Sequence, residues 1–235
     1  MKADGFGCLL SFMEEYMEIK AVLFDCDGLM FDTEIIAQQI WRDGAREKGI
    51  VLPPEFFEKI TGAGGKDLMD YIASVPGADE LLKVCRAKRF DLSFWKSIHT
   101  DCLNRPGLIE LFQYLNGHDY LIGICSSSSK EYVLALMNNV SSELKFDTIV
   151  CGDMVAHAKP DPEIFLTAAE ILGVKPENCL VLEDSKQGIL ASKRAGMHNC
   201  FIPDTIIPDE HMSEAIEHTE TTLLGVINLL ERNSQ

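Results

Sequence analysis

Hydrophobic residues follow two rhythms along this chain. Five short runs, at 21–24, 120–125, 148–151, 179–182 and 200–202, are rich in aliphatic and β-branched residues and mostly apolar at consecutive positions. That is the pattern of strands buried on both faces of a parallel sheet. Between the last four runs lie stretches with apolar residues every three or four positions, at 130–139, 162–172 and 186–195. The alternation predicts βαβ units. Pro106 and Pro162 suit first helical turns, Gly173 and Gly196 suit helix ends, and 210–232 reads as one amphipathic helix.

The interval after the first strand breaks this rhythm. Residues 34–48, 54–60, 66–73, 79–88 and 91–99 carry helical patterns, and no convincing strand lies among them. The pattern predicts an α/β core built from 17–33 and 102–235, with an all-helical cap at 34–101 inserted into it. A block inserted there leaves the sheet at the carboxyl end of a strand, where open α/β sheets place their ligands. The cap is therefore expected to act as a lid. Residues 1–16, which precede Met17, read as an N-terminal extension without chemistry of their own.

Composition narrows the function. The chain has 235 residues, enough for one large domain with an insertion, and a formal net charge of −16. Such a charge opposes binding to nucleic acid or to an anionic membrane. It does not oppose a small phosphorylated metabolite, because a metal ion and local lysines reverse the field inside a pocket. The eight cysteines form no C-x-x-C pair and several sit in apolar runs, as buried thiols of a reducing compartment do. The apolar patch within the first twenty residues is too short to span a membrane and is followed by glutamates. A cytoplasmic location is expected. No long heptad stripe predicts an oligomeric state.

The candidate chemistry lies where the strands end. The first continues as IKAVLFDCDGLMFDTE, with Asp25 and Asp27 flanking one cysteine and Gly28 permitting a sharp turn. The second ends in CSSSSKEYV, with Ser126 first after the apolar run. The third is followed by HAKPDPEIF, carrying Lys159, and the fourth ends in LVLEDSKQG, carrying Glu183 and Asp184. Each stretch alone is explained by helix capping or a solvated turn. On one edge of a parallel sheet they bring carboxylates, a hydroxyl and an ammonium to one point. Clustered carboxylates are tolerated around a hard cation such as Mg²⁺, and hydroxyl and ammonium groups serve the oxygens of a phosphoryl group.

These four stretches, in this order, resemble the haloacid dehalogenase superfamily, in the branch similar to β-phosphoglucomutases and sugar-phosphate phosphatases. The resemblance covers about residues 19 to 225. It implies a Rossmann-like parallel-sheet core with a helical cap, and an Mg²⁺-dependent phosphohydrolase acting on a small phosphorylated metabolite, with a sugar phosphate as the class-level expectation. By that resemblance Asp25 attacks phosphorus to give an aspartyl-phosphate and also binds Mg²⁺. Asp27 protonates the leaving oxygen and then activates water, while its carbonyl joins the metal shell. Ser126 and Ser127 bind phosphate. Lys159 pairs with a phosphoryl oxygen and with Asp25. Asp184 completes the metal shell, with Glu183 a direct or a water-mediated ligand.

Asp32 and Thr33 lie where the linker enters the cap and read as cap and hinge residues. In TGAGGKDLM, Gly65 and Lys66 resemble the family's substrate-specificity loop, although an exposed lysine at a helix start explains Lys66 equally well. The stretch is not a P-loop, since Ile60 and Asp67 stand where that motif needs glycine and a hydroxyl residue. Trp41 and Trp95 read as packing residues. Asp27 favours phosphoryl transfer over dehalogenation. β-Phosphoglucomutases carry a histidine four residues after the threonine, and this chain has Ala37 there, which favours phosphatase over mutase. The remaining alternative is a non-catalytic phosphate-binding module on the same fold.

Overall fold

A computed structural model describes residues 18–60, 65–89, 91–98, 103–138, 140 and 144–233. The proposed extension 1–16 and part of the glycine loop, 61–64, lie outside the described residues. The core is one six-stranded parallel sheet in the order β3-β2-β1-β4-β5-β6. Its strands are β1 (Ala21–Phe24), β2 (Leu121–Ser126), β3 (Thr148–Cys151), β4 (Cys179–Glu183), β5 (His198–Phe201) and β6 (His218–Thr219). Strand β1 pairs with β2 on one side and β4 on the other. The chain order therefore reverses direction across the sheet at β1, the switch point at which open α/β sheets bind ligands.

Period-2 alternation in β1 explains why all four of its residues are apolar. Val22 and Phe24 enter a large apolar cluster on one face, shared with α6 (Leu108–Gly117), α7 (Lys130–Met137) and α11 (Leu223–Arg232). Ala21 and Leu23 enter the opposite cluster, under α8 (Glu163–Leu172) and α9 (Lys186–Arg194). Both faces are covered, so neither requires a polar residue.

The helices α1 (Thr33–Lys48), α2 (Phe56–Ile60), α3 (Gly65–Ser74), α4 (Ala78–Arg89) and α5 (Leu92–Ser97) follow β1. Ile40, Trp41, Phe56, Ile72 and Leu81 lie in an apolar cluster distinct from the two that flank the sheet. Trp95 behaves differently. It belongs to a sheet-side cluster and stands edge-on to Tyr132 with ring centroids 5.1 Å apart, docking α5 onto α7. The two linkers run side by side: Asp32 N–H donates to Leu103 O at 2.8 Å, and Phe31 bridges Asn104. Arg105 then anchors the second linker through Asp204 at 2.7 Å and the Pro203 carbonyl at 2.9 Å.

The end of the chain corrects one expectation. Residues 210–232 are not a single helix but α10 (Glu210–Ser213), β6 and α11. The β-branched and polar stretch HTETT supplies the edge strand and the turn before α11. Six described cysteines are buried thiols. Among the described residues no helix is long and apolar enough to cross a membrane.

Candidate active site

The carboxyl ends of β1, β2 and β4 meet the loop after β3, and this brings Asp25, Ser126, Lys159, Glu183 and Asp184 together. All five are buried or nearly so. Lys159 is the centre. Its Nζ donates to Asp25 Oδ1 at 2.5 Å, to Glu183 Oε1 at 2.7 Å and to the Cys125 carbonyl at 2.9 Å. An ammonium has three protons, so every one is committed. The structure brings Lys159 onto Asp25; a further contact with a phosphoryl oxygen would require one of these donors to be shared.

Glu183 is fully buried, and both of its oxygens are used. Oε1 accepts from Lys159, while Oε2 accepts from the Asp184 and Ser185 amides at 3.1 and 3.0 Å and from Ser185 Oγ at 2.8 Å. Adjacent residues point to opposite sides of an extended chain, and the turn after β4 is what brings Asp184 to the same site. Gly188 makes room for Glu183, since a Cβ there would land 1.7 Å from Oε1. Gly28 does the same for Asp184. Its φ of +83° and the 2.2 Å between a notional Cβ and Asp184 Oδ2 both require glycine.

Burial sets the electrostatics. It pushes Asp25 up to about 7 against the opposing pull of Lys159, with Glu183 and Asp27 adding to the rise. Burial, then Glu183 and Asp25, push Asp184 up to about 9. Burial works against the Lys159 ammonium, but Asp25 and Glu183 overcome it and hold its pKa above the usual lysine value. Among the described residues this cluster thus holds three carboxylates and one buried ammonium, which pairs with Asp25 and Glu183. Ligand oxygens of Asp25, Glu183 and Asp184 all lie within 4.8 Å of one another. An all-oxygen set with excess negative charge fits a hard divalent cation.

Asp27 stands apart from this cluster. Its Oδ1 accepts from Tyr132 Oη at 2.8 Å and Thr33 Oγ1 at 3.1 Å, and its Oδ2 accepts from Ser128 Oγ at 2.8 Å. Hydroxyls both donate and accept, so this ring can serve Asp27 with or without a proton. Thr33 opens α1, and Asp32 caps that helix by accepting from the Ile35 amide at 3.3 Å. Of the two residues read as cap and hinge, Asp32 caps α1 and Thr33 reaches Asp27. Ser126 accepts from the Ser128 amide at 3.0 Å and donates its own proton to no described residue. Ser127 is exposed and lines a cavity of about 710 Å³ between this edge and the helices, together with Thr33, Ser128 and Tyr132.

Sequence reasoning missed Ser128 and Tyr132, which lie 101 and 105 residues from Asp27. The one available signal was a run of four serines, more than a single helix cap uses. Gly65 and Lys66 open α3, but their side-chain surroundings lie outside the described residues. His157 lies on the surface and joins Glu163 at 2.8 Å in a loop closure that also uses the Ala156 amide.

Known proteins are similar to this chain in sequence and fold. The profile described as haloacid dehalogenase-like hydrolase matches residues 22–202. The β-phosphoglucomutase of Bacillus subtilis is 31% identical, covering 76% of this chain and 81% of that one. The phosphorylated carbohydrates phosphatase of Thermotoga maritima is 28% identical, covering 78% and 84%. Among solved structures, a HAD family hydrolase from Deinococcus radiodurans with bound phosphate and sodium superposes with a TM-score of 0.74 at 25% identity, covering 93% of this chain and 97% of that one. With the profile spanning most of the chain and the sheet edge built as described, this protein belongs to the haloacid dehalogenase-like hydrolases.

Proposed function

We propose that this chain is a metal-dependent phosphomonoesterase that works through an aspartyl-phosphate on Asp25. The observation that carries the reading is the division of labour between two carboxylates only two residues apart. Asp25 is tied to Lys159 in the acidic cluster, and Asp27 is held by three hydroxyls beside the cavity.

In the first step an Asp25 oxygen bonds to phosphorus, the bond from phosphorus to the leaving oxygen breaks, and Asp27 gives that oxygen a proton. In the second, Asp27 takes a proton from water, the water oxygen bonds to phosphorus and the Asp25–phosphorus bond breaks. The Ser126 hydroxyl, which donates to no described residue, and the exposed Ser127 would donate to phosphoryl oxygens. Lys159 offsets negative charge on Asp25 and keeps that carboxylate aimed. Asp25, Asp184 and the Asp27 carbonyl would hold Mg²⁺, with Glu183 acting from behind by fixing Lys159 and the turn that carries Asp184. Bound there, Mg²⁺ neutralises the carboxylates and the phosphoryl oxygens.

The helices α1–α5 are read as the cap, and Ala37 lines the cavity without offering a polar group, which supports hydrolysis over return of the phosphoryl group to a sugar. The named relatives make sugar phosphates the first panel, and the reading includes a cytoplasmic location. The test is phosphate release from p-nitrophenyl phosphate and a phosphometabolite panel, with Mg²⁺ and then with EDTA. Metal-dependent release supports the reading. Its absence from every compound refutes it, and interconversion of glucose 1-phosphate and glucose 6-phosphate would replace it with a mutase.

A further inference from the structure

The cavity beside Asp27 is polar at one end and apolar over the rest. Near Asp27 its rim is hydroxyl-bearing, but Thr33, Ser128 and Tyr132 are already bonded to that carboxylate. Beyond the rim the helices present Ile40, Trp41, Ile72, Leu82, Leu92 and Trp95. Glu34 and Arg86 are the only charged residues among the described lining. Glu34 already interacts with neighbouring groups. Arg86 does not pair with any described carboxylate; its guanidinium touches the Met69 sulfur at 3.9 Å, a weak acceptor.

A polyhydroxylated body would find partners at Ser127, Ser129 and the rim but none among the apolar residues beyond them, where its hydroxyls would lose water without compensation. An aliphatic or aromatic body would lose only unfavourable hydration against the half-buried Leu68, Leu82 and Leu92 of the lining. A carboxylate or second phosphate on that body would meet the exposed Arg86 guanidinium, which pairs with no described carboxylate and is suited to bidentate contact with either. We propose that the preferred substrate is a phosphomonoester with an apolar body seated against Leu68, Leu82 and Leu92 and an anionic group at Arg86. The assignment rests on the reading that phosphorus sits at Asp25.

The test separates binding from turnover. With Mg²⁺ and the full chain, calorimetry compares three non-hydrolysable phosphonates: 3-phenylpropylphosphonate, its 4-carboxyphenyl analogue and the phosphonate isostere of glucose 6-phosphate. The phenyl compound is expected to bind about tenfold tighter than the sugar isostere, and the carboxylate to add about another fivefold. Arg86→Met should erase the carboxylate gain, and Leu82→Asn should shrink the phenyl preference. Hydrolysis of 2-phenylethyl phosphate and glucose 6-phosphate, both esters of primary alcohols, is measured alongside.

Equal or tighter binding of the sugar isostere, no binding by any of the three, or a carboxylate gain that survives Arg86→Met overturns the assignment. Tight phenyl binding without hydrolysis of either ester leaves the apolar seat and the Arg86 contact standing as a ligand site and counts against the phosphatase reading. Hydrolysis with glucose 6-phosphate preferred does the opposite.

Discussion

The sheet edge and the helical layer above it solve different problems with different materials. At the edge, Lys159 and Glu183 have every polar atom engaged, and glycines at 28 and 188 let the carboxylates approach backbone that any side chain would block. Little there can shift without leaving a buried charge unpaired. The helical layer is held by apolar contacts around Phe56, Trp41 and Leu81, and its cavity wall is mostly hydrocarbon. Such a wall tolerates substitution of similar volume. On the proposed reading, chemistry is fixed in one region and the choice of substrate is delegated to the other.

The contrast is broken most severely at Asp25. Asp25→Asn is expected to fold, because Lys159 keeps Glu183 as a partner, and to lose at least about 10⁴-fold in kcat. A steady-state assay beside a thermal melt checks both halves. Retained turnover would show that the edge is not the reacting centre.

Lys159→Met removes the one buried cation that faces Asp25 and Glu183 among the described residues. It should cost about 3–5 kcal/mol of stability as well as activity, as breaking a buried ion pair does, and urea denaturation reads the loss. In the helical layer, Phe56→Ala should cost a similar amount, about 3–5 kcal/mol, but in a different place. Hydrogen exchange should show faster opening of α1–α4 while amides of β1, β2 and β4 keep their protection. Equal loss of protection in both regions would mean that they are one cooperative unit.

The same contrast governs what the sequence discloses. Asp25, Ser126, Lys159 and Asp184 are legible because each closes or follows an apolar run, and strand ends of a parallel sheet share one edge. Ser128 and Tyr132 are not, because their partner Asp27 lies more than a hundred residues away and only the crossover from β1 to β2 joins them. Glu183 is half legible. Its position marks it as a site residue, but only the turn at Ser185 reveals that its oxygens are occupied by the protein.

The cavity wall is invisible to periodicity, since Ile40 and Leu82 recur at the helical spacing whether they face a core or an open space. The terminal region 210–232 was misread for a related reason. Two short helical stretches keep one apolar rhythm across the intervening edge strand, and a two-residue strand carries too little pattern of its own.

A smaller effect sharpens the boundary between the regions. Tyr132→Phe removes one of three hydroxyls from Asp27 while keeping the ring against Trp95. It should lower kcat about fivefold, the value of one hydrogen bond of about 1 kcal/mol, with the melting temperature nearly unchanged. A large loss of stability instead would assign Tyr132 to packing alone.

The central claim is that Asp25 carries the phosphoryl group, and it is tested most directly by trapping. In Asp27→Asn, p-nitrophenyl phosphate should still react at Asp25, because its leaving group needs no added proton, while attack by water stalls. Borohydride added with Mg²⁺ present then reduces the acyl phosphate to homoserine, and peptide mass spectrometry locates it. The account predicts homoserine at position 25, dependent on substrate and lost in Asp25→Asn. Homoserine at another carboxylate, or continued turnover with none trapped anywhere, would contradict it.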